Sequence, residues 1–248
     1  MEYSSKIAIV GTEGAGKTVF ITALSKKMEG ANYPRLSPNS HATVRYTNAI
    51  WEILQRGEWP KSTEMGHIEH LKWVWTDRNK NLHEVDAYDC AGQDFRMIFE
   101  SDEPYLLNEH QSYLKQTLNS ASLILLLVNL QDAIDEYTYS TGKRHEIEYA
   151  PASAIRKLSQ QGSSIIVLIT QWDRYQNLIE KEWENNISNA MSTYLPELYA
   201  AIVENEIWCF PIESVKTTLP PPYKSAYQER YPIKNTPPGE SLDQLINH

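Results

Sequence analysis

The sequence predicts a three-layer α/β fold built on a mixed sheet. Apolar runs that are typical of buried strands alternate with stretches of helical spacing along the chain. The predicted buried strands are residues 6–10, 123–129, 164–170 and 207–211, and helices are predicted at 17–28, 151–161 and 181–194. A hairpin over residues 67–89 adds an antiparallel strand, so the sheet is mixed.

The composition narrows the class of protein. The chain has 248 residues, of which 41% are hydrophobic and 22% charged, and this is typical of a soluble globular protein. A net charge of -9 argues against nucleic-acid binding, because domains that bind nucleic acid are usually basic. The longest apolar run, Leu123 to Val128, is far shorter than the roughly 20 residues of a membrane span. We therefore expect a cytoplasmic protein with no membrane span and no nucleic-acid partner.

Three segments lie outside the strands and helices of a minimal sheet, although we expect one domain over residues 1–248. The first is an inserted helix at about 37–58, whose predicted apolar face carries Ala42, Tyr46, Ala49, Ile50, Ile53 and Leu54. The second is a long loop at about 132–150, and the third is a proline-rich segment at about 217–239, before a final helix at 241–246. The second and third are either surface loops or docking surfaces for a partner.

A phosphate-binding loop follows the first predicted strand. Residues 11–18 read GTEGAGKT, which fits the pattern G-x-x-x-x-G-K-[ST] between a strand and a helix. The glycines let backbone N–H groups surround phosphate oxygens at a helix N-terminus, Lys17 adds a positive charge, and Thr18 is a predicted Mg²⁺ ligand. The residues predicted to contact phosphate here are Glu13, Gly14, Ala15, Gly16, Lys17, Thr18 and Val19.

A second motif ends the returning strand of the hairpin. Residues 89–93 read DCAGQ, where Asp89 is a predicted Mg²⁺ ligand and the Gly92 amide is predicted to contact the γ-phosphate. Gln93 is the residue expected to orient the attacking water. Cys90 stands where many P-loop ATPases have a glutamate, and this favours a GTPase over an ATPase.

Taken in order, these motifs resemble those of P-loop GTPases of the translation-factor and Ras-like class. GTEGAGKT and DCAGQ are followed by TQWD at residues 170–173 and SVK at 214–216, each after a predicted strand. The resemblance implies a three-layer P-loop NTPase fold, with a six-stranded mixed sheet that has one antiparallel strand and helices on both faces. It also implies a switch threonine just ahead of the antiparallel strand, and Thr63 is the best candidate for this Mg²⁺ ligand.

The inserted helix suggests a narrower resemblance. Together with the run from Gly57 through Trp59 and Pro60 to Thr63, it resembles the bacterial double-GTPase-type families associated with conflict and antiphage systems.

The resemblance assigns guanine recognition to TQWD and SVK. In this class an aspartate, here Asp173, accepts hydrogen bonds from guanine, and a lysine covers the base while its amine supports the phosphate-binding loop. Thr170 fits the motif, but Gln171 replaces that lysine, and we expect this change to affect the affinity more than the identity of the base. The SVK loop, formed by Ser214, Val215 and Lys216, implies that the backbone N–H of the middle residue meets the guanine carbonyl oxygen.

The resemblance implies a Mg²⁺-dependent, GTP-binding molecular switch that hydrolyses GTP to GDP, with Gln93, Thr63 and Lys17 as catalytic residues. Glu13 lies at a position that is often glycine in Ras-like proteins, and its bulk and charge predict slow turnover without a protein partner. The alternative is a nucleotide-binding interaction module with little or no hydrolysis. A small-molecule kinase is disfavoured because no arginine-rich lid is evident in the sequence.

Overall fold

A computed structural model describes residues 5–11, 14–29, 34–61, 69–89, 97–99, 107–142, 144–172, 187–218, 231–232, 234–235 and 237–247. The strands of the main sheet are β1 (Ser5–Gly11), β2 (Arg35–Pro38), β3 (Glu69–Thr76), β4 (Leu82–Asp89), β5 (Leu123–Asn129), β6 (Ser164–Thr170) and β7 (Trp208–Ile212). Their order across the sheet is β2-β3-β4-β1-β5-β6-β7. A small second sheet pairs β8 (Thr217–Thr218) with β9 (Tyr231–Pro232).

The helices lie on both faces of this sheet. They are α1 (Lys17–Lys27), α2 (His41–Gln55), α3 (Glu109–Ser120), α4 (Leu130–Tyr139), α5 (Ala150–Gln160), α6 (Ile187–Tyr194), α7 (Pro196–Glu204) and α8 (Leu242–Asn247). Buried residues of α1, α2 and α8 join one core cluster, and those of α3 to α7 join the other. Within the described residues, no helix is both long and apolar enough to cross a membrane.

The central strand β5 shows why the sequence gives a layered core. Ile124, Leu126 and Val128 belong to the core cluster on the α3–α7 face. Leu125 and Leu127 alternate with them and belong to the opposite cluster. A strand whose successive side chains are apolar can be buried on both faces only between two helical layers. The predicted three-layer α/β fold is therefore confirmed.

The described sheet has seven strands, whereas the resemblance implied six. The additional strand is β2, which pairs with β3 at the edge of the sheet. Its four residues, RLSP, show no apolar alternation, so only the tertiary pairing with β3 identifies it as a strand. The single antiparallel strand is confirmed, because β3 runs against both β2 and β4 while the other neighbouring pairs are parallel.

Helix α2 lies within the predicted 37–58 segment, but part of its predicted apolar face is wrong. Ala42 and Ala49 are exposed, whereas Thr43 and Thr47 are buried. The Ser40 side chain caps the helix by accepting a hydrogen bond from Thr43 N at 3.0 Å. The Thr43 hydroxyl in turn accepts from Lys72 N on β3 at 3.2 Å, which turns the threonine side of the helix toward the sheet.

The predicted long loop at 132–150 is wrong, because the described part of this segment is largely helical. Asn129 caps α4 through its side chain, and Leu130, Ala133 and Ile134 supply a buried stripe at helical spacing. A π-helical turn at His145–Tyr149 then leads directly into α5. The apolar stripe of α4 is short and the tyrosines beside it are exposed, so the helical pattern of this segment is weak.

A buried carboxylate fixes the π-helical turn. Glu148 is 1% exposed and accepts hydrogen bonds from Arg144 Nε at 2.7 Å and from Glu197 N, in the first turn of α7, at 2.6 Å. Its hydrogen bond with Arg144, together with its negative charge, raises the pKa of Arg144. The turn is therefore attached to α7 through the N-terminus of that helix, which favours a negative charge, and the ion pair with Arg144 balances the charge of Glu148 within the turn.

Candidate nucleotide-binding site

The phosphate-binding loop lies where the sequence places it, between β1 and α1. Gly14 and Gly16 have φ values of 65° and 72°, in the left-handed region that glycine adopts without strain. The side chains of Ala15 and Val19 are buried in the core cluster on the α1 face, so any contact they make with phosphate is through the backbone. Glu13 lies outside the described residues.

Lys17 is positioned at the start of α1. Its side chain is buried, with the residue 7% exposed, and its Nζ donates a hydrogen bond to the Gly11 carbonyl oxygen at 3.2 Å. Thr18 follows it, and the first turn of the helix contains no acidic residue. The positive potential of the helix N-terminus therefore adds to the lysine charge, which is the electrostatic arrangement that favours phosphate.

The second motif begins at the edge of the sheet where the phosphate-binding loop lies. Strand β4 ends at Asp89 and runs parallel to its neighbour β1, so both strands reach this edge with their carboxyl ends. The predicted site residues Thr63, Gly92 and Gln93 lie outside the described residues, as does the Asp89 side chain.

The two predicted base-reading loops follow adjacent strands. Thr170 at the end of β6 is paired with Ile212 at the end of β7, so the chain leaves the sheet at neighbouring points. Thr170 is 3% exposed and its hydroxyl donates to the Val128 carbonyl oxygen at 3.2 Å, which ties β6 to β5. Asp173 lies outside the described residues, and Trp172 is partly buried against the core cluster on the α3–α7 face.

Gln171 links the predicted base-reading loop after β6 to the phosphate-binding loop. Its Nε2 donates a hydrogen bond to the Gly14 carbonyl oxygen at 3.2 Å. Its backbone has a φ of 59°, which is uncommon for a residue with a side chain. Gln171 therefore supports the phosphate-binding loop from the position where the resembled GTPases have a lysine.

The SVK loop is held by the C-terminal part of the chain. Val215 is 3% exposed and forms an antiparallel bridge with Pro238. Lys216 and Glu240 form an ion pair, which raises the pKa of the lysine and lowers the pKa of the carboxyl. The arrangement therefore places Ser214, Val215 and Lys216 at the end of the sheet where Gln171 contacts Gly14.

Comparison with protein families decides the assignment. Residues 8–161, more than half of the chain, match the model described as DO-GTPase1, Double-GTPase 1. The chain belongs to the Double-GTPase 1 family. It is a P-loop GTPase of the double-GTPase type, so the resemblance drawn from its motifs is confirmed, and membership places it among GTP-binding proteins.

Solved structures similar to this double-GTPase include the FeoB G-domain from Methanococcus jannaschii, at 10% identity and a TM-score of 0.39, covering 86% of this chain and 87% of that one. The elongation factor SelB from Methanococcus maripaludis, solved with the GTP analogue GppNHp, is 13% identical with a TM-score of 0.39. A bacterial selenocysteine-specific elongation factor, EF-Sec, is 15% identical with a TM-score of 0.38. Coverage is 86% of this chain and 30% of SelB, and 85% of this chain and 25% of EF-Sec. A search of curated proteins finds no match.

Two polar residues beside the phosphate-binding loop were not among those predicted. Asn129 is 5% exposed at the end of β5, and its Nδ2 lies 3.3 Å from where a Cβ on Gly14 would be. Asp132 Oδ2 lies 3.7 Å from the same point. Both side chains therefore lie beside the phosphate-binding loop. In the sequence, Asn129 is marked only as a polar residue that ends an apolar strand. That feature points to the phosphate-binding loop only once β5 is known to be the neighbour of β1.

Proposed function

We propose that this protein is a molecular switch that binds GTP and hydrolyses it to GDP and phosphate with Mg²⁺, slowly in the absence of a protein partner. The observation that carries the proposal is the hydrogen bond from Gln171 Nε2 to the Gly14 carbonyl oxygen. It connects the strand end that is expected to read the base with the loop that is expected to hold the phosphates. A single nucleotide would then contact both.

The residues present fit a magnesium ion. Hydroxyl and carboxylate oxygens are the ligands that Mg²⁺ prefers. Thr18 follows the buried Lys17, and Asp89 ends β4, the parallel neighbour of β1, so the two residues come from the same edge of the sheet. With Thr63 they would form the protein part of the coordination shell. When bound, the ion neutralises charge that develops on the phosphate oxygens.

For the base, we assign recognition to Asp173, supported by Thr170 and Gln171, and to the loop of Ser214, Val215 and Lys216. The paired ends of β6 and β7 support this assignment, because both loops leave the sheet at neighbouring points, where one base could contact both. A carboxylate that accepts from the guanine N1–H and amine would reject adenine, which presents no such pair of donors.

For catalysis, we assign orientation of the attacking water to Gln93, with the Gly92 amide and Lys17 stabilising the γ-phosphate. Thr63 would order the switch segment in the GTP state. Glu13 would slow the reaction, because its negative charge lies in a loop built to hold phosphates. A partner protein that displaces or neutralises this side chain would accelerate turnover.

The alternative is an interaction module that binds guanine nucleotide and hydrolyses little or none of it. Glu13 motivates it, as does Gln171, which is neutral where the resembled GTPases have a cationic lysine.

Three measurements on the full chain separate these functions. We expect guanine nucleotide to co-purify, GTP to displace a fluorescent GDP analogue far better than ATP, and phosphate release that EDTA abolishes. If ATP competes as well as GTP, the assignment of the base is wrong. If GTP is preferred but no phosphate is released, alone or with its partner, the interaction module is the correct function.

A further inference from the structure

We infer that the C-terminal strap, residues 237–247, positions one of the loops of the base-reading site. It holds the SVK loop so that the backbone N–H of Val215 faces the base, and Gly239 and Ser241 are the positioning residues. This inference rests on the proposed function, since it names the part of the chain that positions a donor for the guanine carbonyl oxygen.

Three hydrogen bonds attach the strap to the backbone at this loop. Gly239 N donates to the Ser214 carbonyl oxygen at 2.8 Å. The Ser241 hydroxyl accepts from Glu213 N at 2.7 Å and donates to the Glu213 carbonyl oxygen at 3.0 Å. A single serine side chain therefore satisfies both backbone groups of the residue that follows β7.

The pairing pattern sets the direction of the Val215 N–H. Val215 and Pro238 form an antiparallel bridge, and the bond from Gly239 N to Ser214 O flanks this pair. In an antiparallel ladder, a pair flanked in this way exchanges no hydrogen bonds, and its N–H groups point away from the partner strand. Pro238 also has no N–H of its own. The Val215 N–H is therefore directed away from the strap while its side chain is buried in the core.

The contact at Gly239 leaves no room for a side chain. A Cβ at this position would lie 1.7 Å from the Glu213 carbonyl oxygen and 2.7 Å from its carbon. Both atoms belong to the backbone, so no change of rotamer relieves the overlap. Glycine is required here for the strap to approach the loop.

The strap is itself fixed to α1, which begins in the phosphate-binding loop. Lys27 Nζ, at the end of α1, donates to the Gly239 carbonyl oxygen and forms an ion pair with Asp243, each at 2.9 Å. Leu242 is fully buried in the core cluster that contains the apolar residues of α1. The strap therefore positions the SVK loop relative to the helix that carries Lys17 and Thr18.

The test compares two nucleotides that differ at the contact in question. Ser241→Ala in the full chain is measured with GDP and with the diphosphate of 2-aminopurine riboside, which lacks the carbonyl oxygen and the N1 hydrogen, so the variant and the unaltered protein are compared separately for each ligand. We expect GDP affinity to fall about tenfold, as when one hydrogen bond is lost and a polar group is left unpaired. Affinity for the 2-aminopurine analogue should change less than about twofold, because that ligand never used the Val215 N–H.

Ser163→Ala is the matched control. The Ser163 hydroxyl also bonds a backbone carbonyl oxygen, that of Ala121, at 3.0 Å, but it precedes β6 and so lies at the opposite end of the strands. It should leave both affinities unchanged. Gly239→Ala is the second variant, with a larger selective loss expected; if it fails to fold, Ser241→Ala still decides the question.

The outcomes are distinct. Equal loss for both ligands, or no loss for GDP, would overturn the role of the strap while leaving a guanine-selective protein. If the unaltered protein binds ADP as tightly as GDP, the proposed function fails first, and the inference about the strap falls with it.

Discussion

The phosphate end and the base end of this site are built in different ways. The proposed phosphate end comes from one continuous stretch between β1 and α1, in which backbone conformation and a helix N-terminus would do most of the binding. The proposed base end is assembled from the chain after β6, the chain after β7 and the C-terminal strap. The first is specified locally, and the second by contacts between segments that are far apart in sequence.

This difference predicts that substitutions at the two ends affect nucleotide affinity in different ways. A substitution at the phosphate end removes a charge or a backbone conformation that every nucleotide uses. A substitution at the base end removes one of several moderate contacts, so its effect should be smaller and should depend on the base. The Gln171–Gly14 hydrogen bond, which spans 157 positions, is the described contact that belongs to both ends.

The largest effect is expected for Lys17→Ala. The ammonium is buried at the start of α1, where a negatively charged ligand would be its partner. Removing one member of a buried charge pair costs about 3 kcal/mol or more, which corresponds to at least roughly a hundredfold loss of affinity. The loss should be the same for GDP and for the 2-aminopurine analogue, because the lysine contacts only phosphate. Calorimetric titration of the nucleotide-free protein measures it.

Lys26→Ala is the control for this variant. Lys26 lies on the same helix, but its Nζ bonds Glu29 and Asn48 at the end remote from the loop. Nucleotide affinity should not change. If the loss of affinity caused by Lys17→Ala differed between GDP and the 2-aminopurine analogue, the proposed division of the site into a phosphate end and a base end would be wrong.

A moderate effect is expected at Gln171. Gln171→Ala removes the hydrogen bond to Gly14, and a net hydrogen bond of about 1 kcal/mol corresponds to roughly fivefold weaker GDP binding. Gln171→Lys should restore the affinity, since a lysine amine can donate to the same carbonyl oxygen. Competition with a fluorescent GDP analogue compares the variants. A lysine variant as weak as the alanine variant would show that the contact does not support binding.

Gln171→Gly separates the hydrogen bond from the backbone. Glycine also lacks the bond but adopts the φ of 59° without the steric cost that alanine meets. Its free energy of unfolding should exceed that of the alanine variant by about 1 kcal/mol, while both bind GDP with similar affinity. Denaturant titration provides the comparison. If the glycine variant also regains GDP affinity, strain at this residue is the cause of the weaker binding.

The same contrast explains what the sequence could predict. The phosphate-binding loop was predicted because its residues are adjacent and their spacing is the signal. The layered sheet was predicted because the apolar run of β5 can be buried only between two helical layers. Strand β2 was missed because its four residues become a strand only by pairing with β3, and the buried stripe of α4 was too short to indicate a helix.

Contacts between distant segments left weaker signals. Gln171 reads in the sequence as a departure from a motif, and only the structure shows that its amide reaches Gly14. Gly239 ends the proline-rich segment, whose composition indicates a loop, and Ser241 begins the predicted final helix, so nothing local links either residue to Glu213. A base-reading site assembled in this way can be proposed from motifs in the sequence, but the distant contacts that hold its loops cannot.

The smallest effect is expected for the ion pair between Lys216 and Glu240, although it also joins the SVK loop to the strap. Both side chains are solvent-exposed, where water and salt screen their attraction. We expect Glu240→Gln to weaken GDP binding less than about twofold, and this small change to vanish in about 0.5 M salt.

The pH dependence of this pair follows from the direction of its pKa shifts. The pKa of Glu240 is lowered in the folded protein, so its contribution is present above the ordinary carboxyl range and is lost as the pH falls through the lowered value. The pKa of Lys216 is raised, so its contribution is lost only as the pH rises through that raised value. GDP affinity of the two proteins should therefore keep a constant ratio between about pH 6 and pH 8. A ratio that changed across this range, or a loss as large as that of Ser241→Ala, would mean that charge rather than backbone hydrogen bonding holds the base end together.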